Sequence, residues 1–233
     1  MKTLTKKINL CLSTVIISFM ASCHFGDSVT DVSPANVVDT NLANLIEKSN
    51  SFKNLLVGLT NFEDKIRAGK IKILLPESSL ESWKNRAVII QTETERRNIL
   101  GELFSDPDAV ISFAEILNKS FNKEILTKEN VKFAMYSDKE ILDMYSSSLS
   151  KAMNEKYKNA RVNSCYGNCS QDLNIASSTA YNGLIVASAG CGALSGTIGG
   201  ALVCEGIAIW GYYVAWDSAM QTFSSCTDRC NQE

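Results

Sequence analysis

The sequence predicts an all-α protein, a helical domain followed by a long antiparallel helical hairpin that disulfides staple together. Three observations lead to this prediction. Apolar residues recur at intervals of three and four through most of the chain, which places them along one face of a helix. Six of the eight cysteines lie in the last third of the chain, where their positions pair about one centre. That same region is rich in glycine and almost free of charge.

The first segment, residues 1–22, has the features of an export signal. It begins with a lysine-rich end, continues with an apolar stretch, and finishes with small residues before Cys23. This pattern resembles the signal peptide and lipobox of bacterial lipoproteins, although Met20 stands where the lipobox usually has leucine. The resemblance implies cleavage before Cys23, acylation of Cys23 by chains such as palmitate, and a place in the bacterial cell envelope, at the outer membrane. An ordinary signal peptide cut nearby and an uncleaved membrane anchor remain open alternatives.

The cysteine count agrees with export. Removing Cys11 with the signal and Cys23 to the lipid leaves six cysteines, an even number. An oxidising compartment is where structural disulfides persist, so these six are expected to be paired.

Residues 23–36 are interpreted as a polar tether from the lipid, and residues 37–160 as a helical domain of five or six helices. Residues 37–70 are expected to hold two helices with an interruption around residues 49–51. Residues 71–75 are expected to be a helix end or an extended connector, since no partner strand is evident for them.

Further helices are marked by their first residues. After a helical stretch at residues 78–104, Asp106 can cap a helix in which Pro107 takes the first position. Residues 127–136 are expected to be one short helix. Ser137 and Glu140 match a capping box that opens the last helix of this domain.

The two parts of the chain differ in charge. Residues 24–161 carry 19 Lys and Arg against 20 Asp and Glu, whereas residues 162–233 carry one Arg against five acidic residues. Neither part is basic, so nucleic acid is not an expected partner. The polar stretch around residues 155–164 is interpreted as an exposed boundary between the helical domain, residues 37–160, and the hairpin, residues 161–233. Arg161 at this boundary is a candidate site for an arginine-specific protease. Arg161 as an ordinary solvated residue is the alternative.

The cysteines of residues 161–233 predict a connectivity. In three possible pairs the residue numbers add to the same total, 395, as expected for residues at equal distances from the turn of an antiparallel hairpin. The turn would fall near Thr197 and Ile198. Among fifteen connectivities of six cysteines, this rule selects the pairs Cys165–Cys230, Cys169–Cys226 and Cys191–Cys204.

Disulfides require a close approach of the two arms, within about 7 Å between Cα atoms. Small residues are expected to allow it. Gly192, Gly196 and Gly200 have a small-xxx-small spacing that suits helix packing. Gly190 and Gly206 are also expected to let the arms approach.

A membrane role for this region is weighed against a core role. Residues 183–204 carry no charge and are long enough to span a bilayer, but a single span would run through the predicted turn. A permanently inserted hairpin is disfavoured because Asp217 would lie in the apolar layer. A cluster of aromatic residues is either core or a membrane-interface anchor: Trp210, Tyr212, Tyr213 and Trp216.

The sequence predicts no catalytic, metal or cofactor site. The single histidine, His24, lies beside the lipid attachment site, and no Cys–His or Ser–His arrangement is available for nucleophilic catalysis. We therefore expect a protein that is not an enzyme.

Two functions follow. In the first, the layout resembles bacteriocin-like toxins that are exported as precursors and activated by proteolysis. This implies membrane-active killing by a piece released to the medium, and as partners an activating protease and a target-cell membrane or surface receptor. The alternative is a surface lipoprotein with a structural or binding role, in which the hairpin is a permanent part of the core.

Overall fold

A computed structural model describes residues 40–157, 164–191 and 198–231, and it confirms the all-α class. The described residues form nine α-helices, with 3₁₀ turns at Glu77–Ser79 and Val131–Met135. The predicted tether and the boundary between residues 160 and 161 lie outside the described residues. The helices are α1 (Thr40–Lys48), α2 (Asn50–Arg67), α3 (Leu80–Ala87), α4 (Glu93–Leu103), α5 (Pro107–Ser120), α6 (Lys123–Glu129), α7 (Asp138–Tyr157), α8 (Ser164–Cys191) and α9 (Ile198–Cys230).

Three helix starts that the sequence predicts are confirmed. Ser49 separates α1 from α2, and its hydroxyl accepts a hydrogen bond from the backbone N–H of Phe52 at 3.1 Å. Asp106 caps α5 in the same way, with Pro107 at the first helical position. Ser137 and Glu140 form the capping box before α7. Each cap satisfies backbone donors that a helix leaves unpaired at its start.

Two helix predictions for residues 78–136 are wrong. The stretch 78–104 is not one helix, because α3 ends at Ala87 and Thr92 begins α4 with a second capping box formed with Glu95. Hydrogen bonds from the backbone N–H of Gln91 and from the Thr92 side chain lower the pKa of Glu95. The break lets α3 fold back on α4, where the indole N–H of Trp83 donates to the carbonyl of Ile99 at 2.8 Å.

The expected single helix at 127–136 is instead the end of α6 followed by the 3₁₀ turn. Asn130 ends α6 and caps the turn, because its side chain accepts from the backbone N–H of Lys132 at 3.0 Å. Glu129, the last residue of α6, accepts from the backbone N–H groups of Asn50 and Ser51 at the start of α2. The described residues before 158 therefore contain seven α-helices rather than five or six.

Residues 71–75 form the extended connector that the sequence allowed. Ile73 makes an isolated antiparallel bridge with Phe104, and the backbone N–H of Leu74 donates to the carbonyl of Leu103 at 3.0 Å. The connector thereby fastens the end of α2 to the end of α4.

The hairpin formed by α8 and α9 extends from the centre of the protein, where residues 199–212 of α9 lie, to an exposed open end. Within residues 199–212 of α9, every residue except Ala201 and Trp210 is buried. Helices α3, α4 and α5 contact α9, while α5 and α7 contact α8. A helix that is apolar around its whole circumference must be covered on all sides, and the preceding helices provide this cover. The buried apolar residues of both parts belong to one core.

Candidate functional site

The three disulfides of the hairpin have the pairing that the sequence predicts. The Cα atoms are 5.8 Å apart in Cys165–Cys230, 5.7 Å in Cys169–Cys226 and 5.4 Å in Cys191–Cys204. These distances lie within the range of protein disulfides. The first two bonds close the open end of the hairpin, and the third joins the arms near the turn, so the predicted hairpin is confirmed as a stapled one.

A buried carboxylate connects both arms of the hairpin to α2. Glu63 is fully buried, and its Oε1 atom accepts hydrogen bonds from the hydroxyls of Tyr181 on α8 and Tyr212 on α9, at 2.8 Å and 2.7 Å. A carboxylate removed from water is costly unless hydrogen bonds replace its hydration. Because the two donors come from different arms, this contact requires the hairpin to be assembled and docked.

A second buried carboxylate connects α9 to α4 and α5. Glu205 on α9 pairs with Arg96 at 3.2 Å between Oε2 and Nη2, and Asn118 donates to its Oε1 atom. Both charged side chains are largely buried, with 9% and 15% of the side chain exposed. In the sequence, Glu205 is the one charged residue between Leu173 and Trp216. A lone charge of this kind must find a partner when it is buried, and that signal could have indicated the contact.

Two glycines of α9, Gly199 and Gly206, serve the docking of the hairpin on α3. A Cβ atom on Gly199 would meet the backbone oxygens of Ala87, at 2.7 Å, and of Val88. A Cβ atom on Gly206 would lie 2.9 Å from the ring of Trp83. Both contacts are with α3 and the residue after it, so the expected arm-to-arm role of Gly206 is wrong.

The other glycines give a mixed outcome. Gly190 faces open space, so its predicted packing role is also wrong. Gly200 is buried, while Gly192 and Gly196 lie outside the described residues.

The aromatic cluster of α9 belongs to the core. Tyr212 and Trp216 are buried, and Trp210 and Tyr213 are partly buried and packed against the core. Burial, together with the nearby Asp217 carboxylate, raises the pKa of Tyr213. In this structure the core alternative therefore holds, and none of the four side chains forms an exposed anchor.

Four cysteines meet at the open end of the hairpin. The sulfurs of Cys165, Cys169 and Cys230 lie within 4.8 Å of one another, and the Sγ atoms of Cys169 and Cys230, which belong to different disulfides, are 3.6 Å apart. Sulfur binds metal ions as a thiolate. Since all three sulfurs are oxidised in disulfides, this cluster offers a metal no such ligand.

Two predicted site residues, Cys23 and Arg161, lie outside the described residues. Within the described parts of the chain, none of the helices is both long enough and apolar enough to cross a membrane.

The fold and site define a class of protein: an all-α protein in which the preceding helices pack around a disulfide-stapled hairpin. Comparison with known protein families, with curated proteins and with solved structures finds nothing that matches the chain.

Proposed function

We propose that the protein is an exported lipoprotein of the bacterial cell envelope, anchored through acylated Cys23, in which the stapled hairpin is a permanent part of the core. Its role is structural or binding rather than enzymatic. The observation that supports this proposal best is the burial of residues 199–212 by helices from the rest of the chain.

The contacts at this surface favour permanence. If residues 161–233 left the protein, Trp83 would lose the surface of Gly206 on which it packs, and Arg96 would lose Glu205. Glu63 would lose both tyrosine donors. The helical part before residue 158 would then be missing the side chains that fill its centre, and the hairpin would present an uncharged helix to water.

A second candidate, the precursor of a membrane-active antibacterial toxin, is favoured by a different aspect of the same surface. The buried residues of α9 include one charge, Glu205, whereas residues 24–161, which include α1–α7, carry 39 of the 45 charged residues of residues 24–233. In this candidate, helices α1–α7 keep an apolar hairpin covered, lipidation at Cys23 holds the precursor at the membrane, and cleavage near Arg161 frees the hairpin.

The intact mass of every form in the producing cell's membrane and culture medium, measured with and without reductant, separates the two candidates. A lipid-bearing chain from Cys23 to Glu233 found only in the membrane is the result expected for a permanent core. A soluble fragment beginning near Val162 that gains the mass of three reduced disulfides would favour the toxin precursor, and killing and vesicle-leakage assays would then test its activity.

A second experiment tests whether the hairpin can leave at all. A recognition site for a sequence-specific protease is placed within residues 158–163 of the full chain, and the purified protein is cut and examined by size-exclusion chromatography. We expect both pieces to elute together at the position of the uncut control, since their shared core persists. Separation of the pieces in native buffer would contradict the permanent-core proposal.

A further inference from the structure

The four cysteines at the open end of the hairpin differ in exposure in a regular way. Cys169 and Cys230 are buried, whereas their partners Cys226 and Cys165 are partly exposed. The two buried sulfurs are the pair that lie 3.6 Å apart across the two disulfides. In each disulfide, therefore, one cysteine is partly exposed, and the sulfur of the buried cysteine lies beside the neighbouring disulfide.

Helix geometry explains this arrangement. Side chains of a helix tilt toward its N-terminus, and the two arms run in opposite directions. Cys169 therefore leans back toward the level of Cys165, while Cys230 leans toward the level of Cys226. The sulfurs of Cys169 and Cys230 therefore converge between the two disulfide bonds. Those of Cys165 and Cys226 tilt away from that space.

We propose that the open end of the hairpin is a thiol–disulfide exchange site. Its partner is a dithiol, either a small molecule or a protein with two neighbouring thiols. Reaction with one dithiol converts the two disulfides into a single Cys169–Cys230 disulfide and leaves Cys165 and Cys226 as thiols. The proposal concerns the chemistry of these four residues and does not depend on the role of the hairpin as a whole.

The exchange proceeds by three thiolate attacks. A thiolate of the dithiol attacks Sγ of the partly exposed residue Cys165, which breaks the Cys165–Cys230 bond and releases Cys230 as a thiolate. Cys230 attacks Sγ of Cys169, the atom 3.6 Å away, which breaks the Cys169–Cys226 bond and releases Cys226. The second thiolate of the dithiol then attacks the first sulfur of the same dithiol, which is bonded to Cys165 in the mixed disulfide. This closes the disulfide of the oxidised dithiol and releases Cys165.

The atoms and electrons of this sequence balance. The dithiol is oxidised to a disulfide and gives up two electrons and two protons. The protein exchanges two disulfides for one disulfide and two thiols.

Attack on the other partly exposed cysteine, Cys226, gives the same product. Attack on Cys226 releases Cys169, which attacks Cys230 and releases Cys165. In both routes a disulfide joins the arms at the open end at every step. The hairpin therefore stays closed while Cys165 and Cys226 become reactive thiols. Cys191–Cys204 has no such route, because it lies 22 residues further along each arm, roughly 33 Å away along the helices.

The native protein can be tested directly. The protein is treated with limiting dithiothreitol, and its free thiols are alkylated. The protein species that carries two alkyl labels is isolated, and its labelled cysteines are located by peptide mass mapping. We expect the labels on Cys165 and Cys226 together. Labels on a native pair, Cys165 with Cys230 or Cys169 with Cys226, would overturn the proposal. Cys191 and Cys204 provide an internal control, because their disulfide is expected to yield labels on its own two residues.

Single variants test the exchange step without a reductant. Cys165→Ser frees Cys230, and Cys226→Ser frees Cys169; both are expected to produce the same new Cys169–Cys230 disulfide at a rate independent of protein concentration. Cys191→Ser is the matched control, in which Cys204 is free and the two disulfides of the open end keep their pairing. Retention of the remaining native disulfide in both test variants would refute the inference.

Discussion

The two ends of the hairpin are held in different ways. Near the turn, residues 199–212 of α9 are surrounded by α3, α4, α5 and α8 and are fixed by packing, two buried carboxylates and one disulfide. At the open end most residues are exposed, and two disulfides one helical turn apart join the arms. Covalent bonds are thus concentrated where burial is sparse. The comparison indicates that disulfides replace a hydrophobic core at the open end rather than reinforce one.

The largest expected effect comes from removing both open-end disulfides. Replacing Cys165, Cys169, Cys226 and Cys230 by alanine is expected to lower the free energy of unfolding by about 6 kcal/mol, because one long loop and one short loop are no longer closed in the unfolded chain. Removing Cys165–Cys230 alone is expected to cost about 2–3 kcal/mol, since Cys169–Cys226 still closes the long loop and only a loop of roughly ten residues is released. Urea unfolding followed by circular dichroism measures both. A loss of about 4 kcal/mol or more on removal of Cys165–Cys230 alone would contradict this prediction.

The next effect is at the docked end. Glu63→Ala removes the acceptor that the hydroxyls of Tyr181 and Tyr212 share, and we expect a loss of about 2–4 kcal/mol because buried donors lose a hydrogen bond. Glu63→Gln is the matched control, since it keeps an oxygen acceptor of the same shape and is expected to lose less. Thermal unfolding of both variants, with the disulfides intact, measures the difference. Equal losses in the two variants would show that the shared acceptor does not carry the effect.

A smaller effect is expected where α9 touches the end of α3. Gly199→Ala places a methyl group against backbone oxygens of Ala87 and Val88, which cannot rotate away. We expect a loss of about 1–3 kcal/mol from this overpacking, together with faster hydrogen exchange in α3 and the first turns of α9. Unchanged stability would mean that α9 can move away from α3 at little cost.

The smallest effect has the opposite sign. Gly167 lies within α8 at the open end, is exposed, and has no atom within 4 Å of a Cβ placed on it. Gly167→Ala is therefore expected to stabilise the protein by about 0.4–1 kcal/mol, because alanine loses less conformational freedom when it folds into a helix. The same urea experiment measures it. Destabilisation would indicate that Gly167 is in contact with another group at the open end, contrary to its exposed position.

Features that depend on nearby residues could be predicted from the sequence. The caps at Ser49, Asp106 and Ser137 act within three residues, and the cysteine pairing follows from the geometry of one hairpin. The capping box of Thr92 and Glu95 is equally local, but the apolar stripe continues through residues 80–103 and hides the break. A helix start is therefore missed when the apolar periodicity of one helix continues without interruption into the next.

Contacts between distant parts of the chain could not be predicted in the same way. Glu63 reaches Tyr181 and Tyr212 over separations of 118 and 149 residues, and its own helix gives no indication of either partner. The spacing of glycines shows where a close approach is possible but not which neighbour makes it, so Gly206 was assigned to the wrong contact. The candidate site depends on these long-range choices, whereas the fold class depends on periodicity alone.

The burial of α9 has a consequence for the order in which the protein folds. This helix follows α1–α8 in the chain and is synthesised after them. Helices α1–α7 are therefore made before the helix that fills their centre, and the apolar residues that pack on α9 stay uncovered until it has been made. We therefore expect a chain with this topology to complete its core only after α9 has been made. Apolar surface that stays uncovered during that interval favours aggregation.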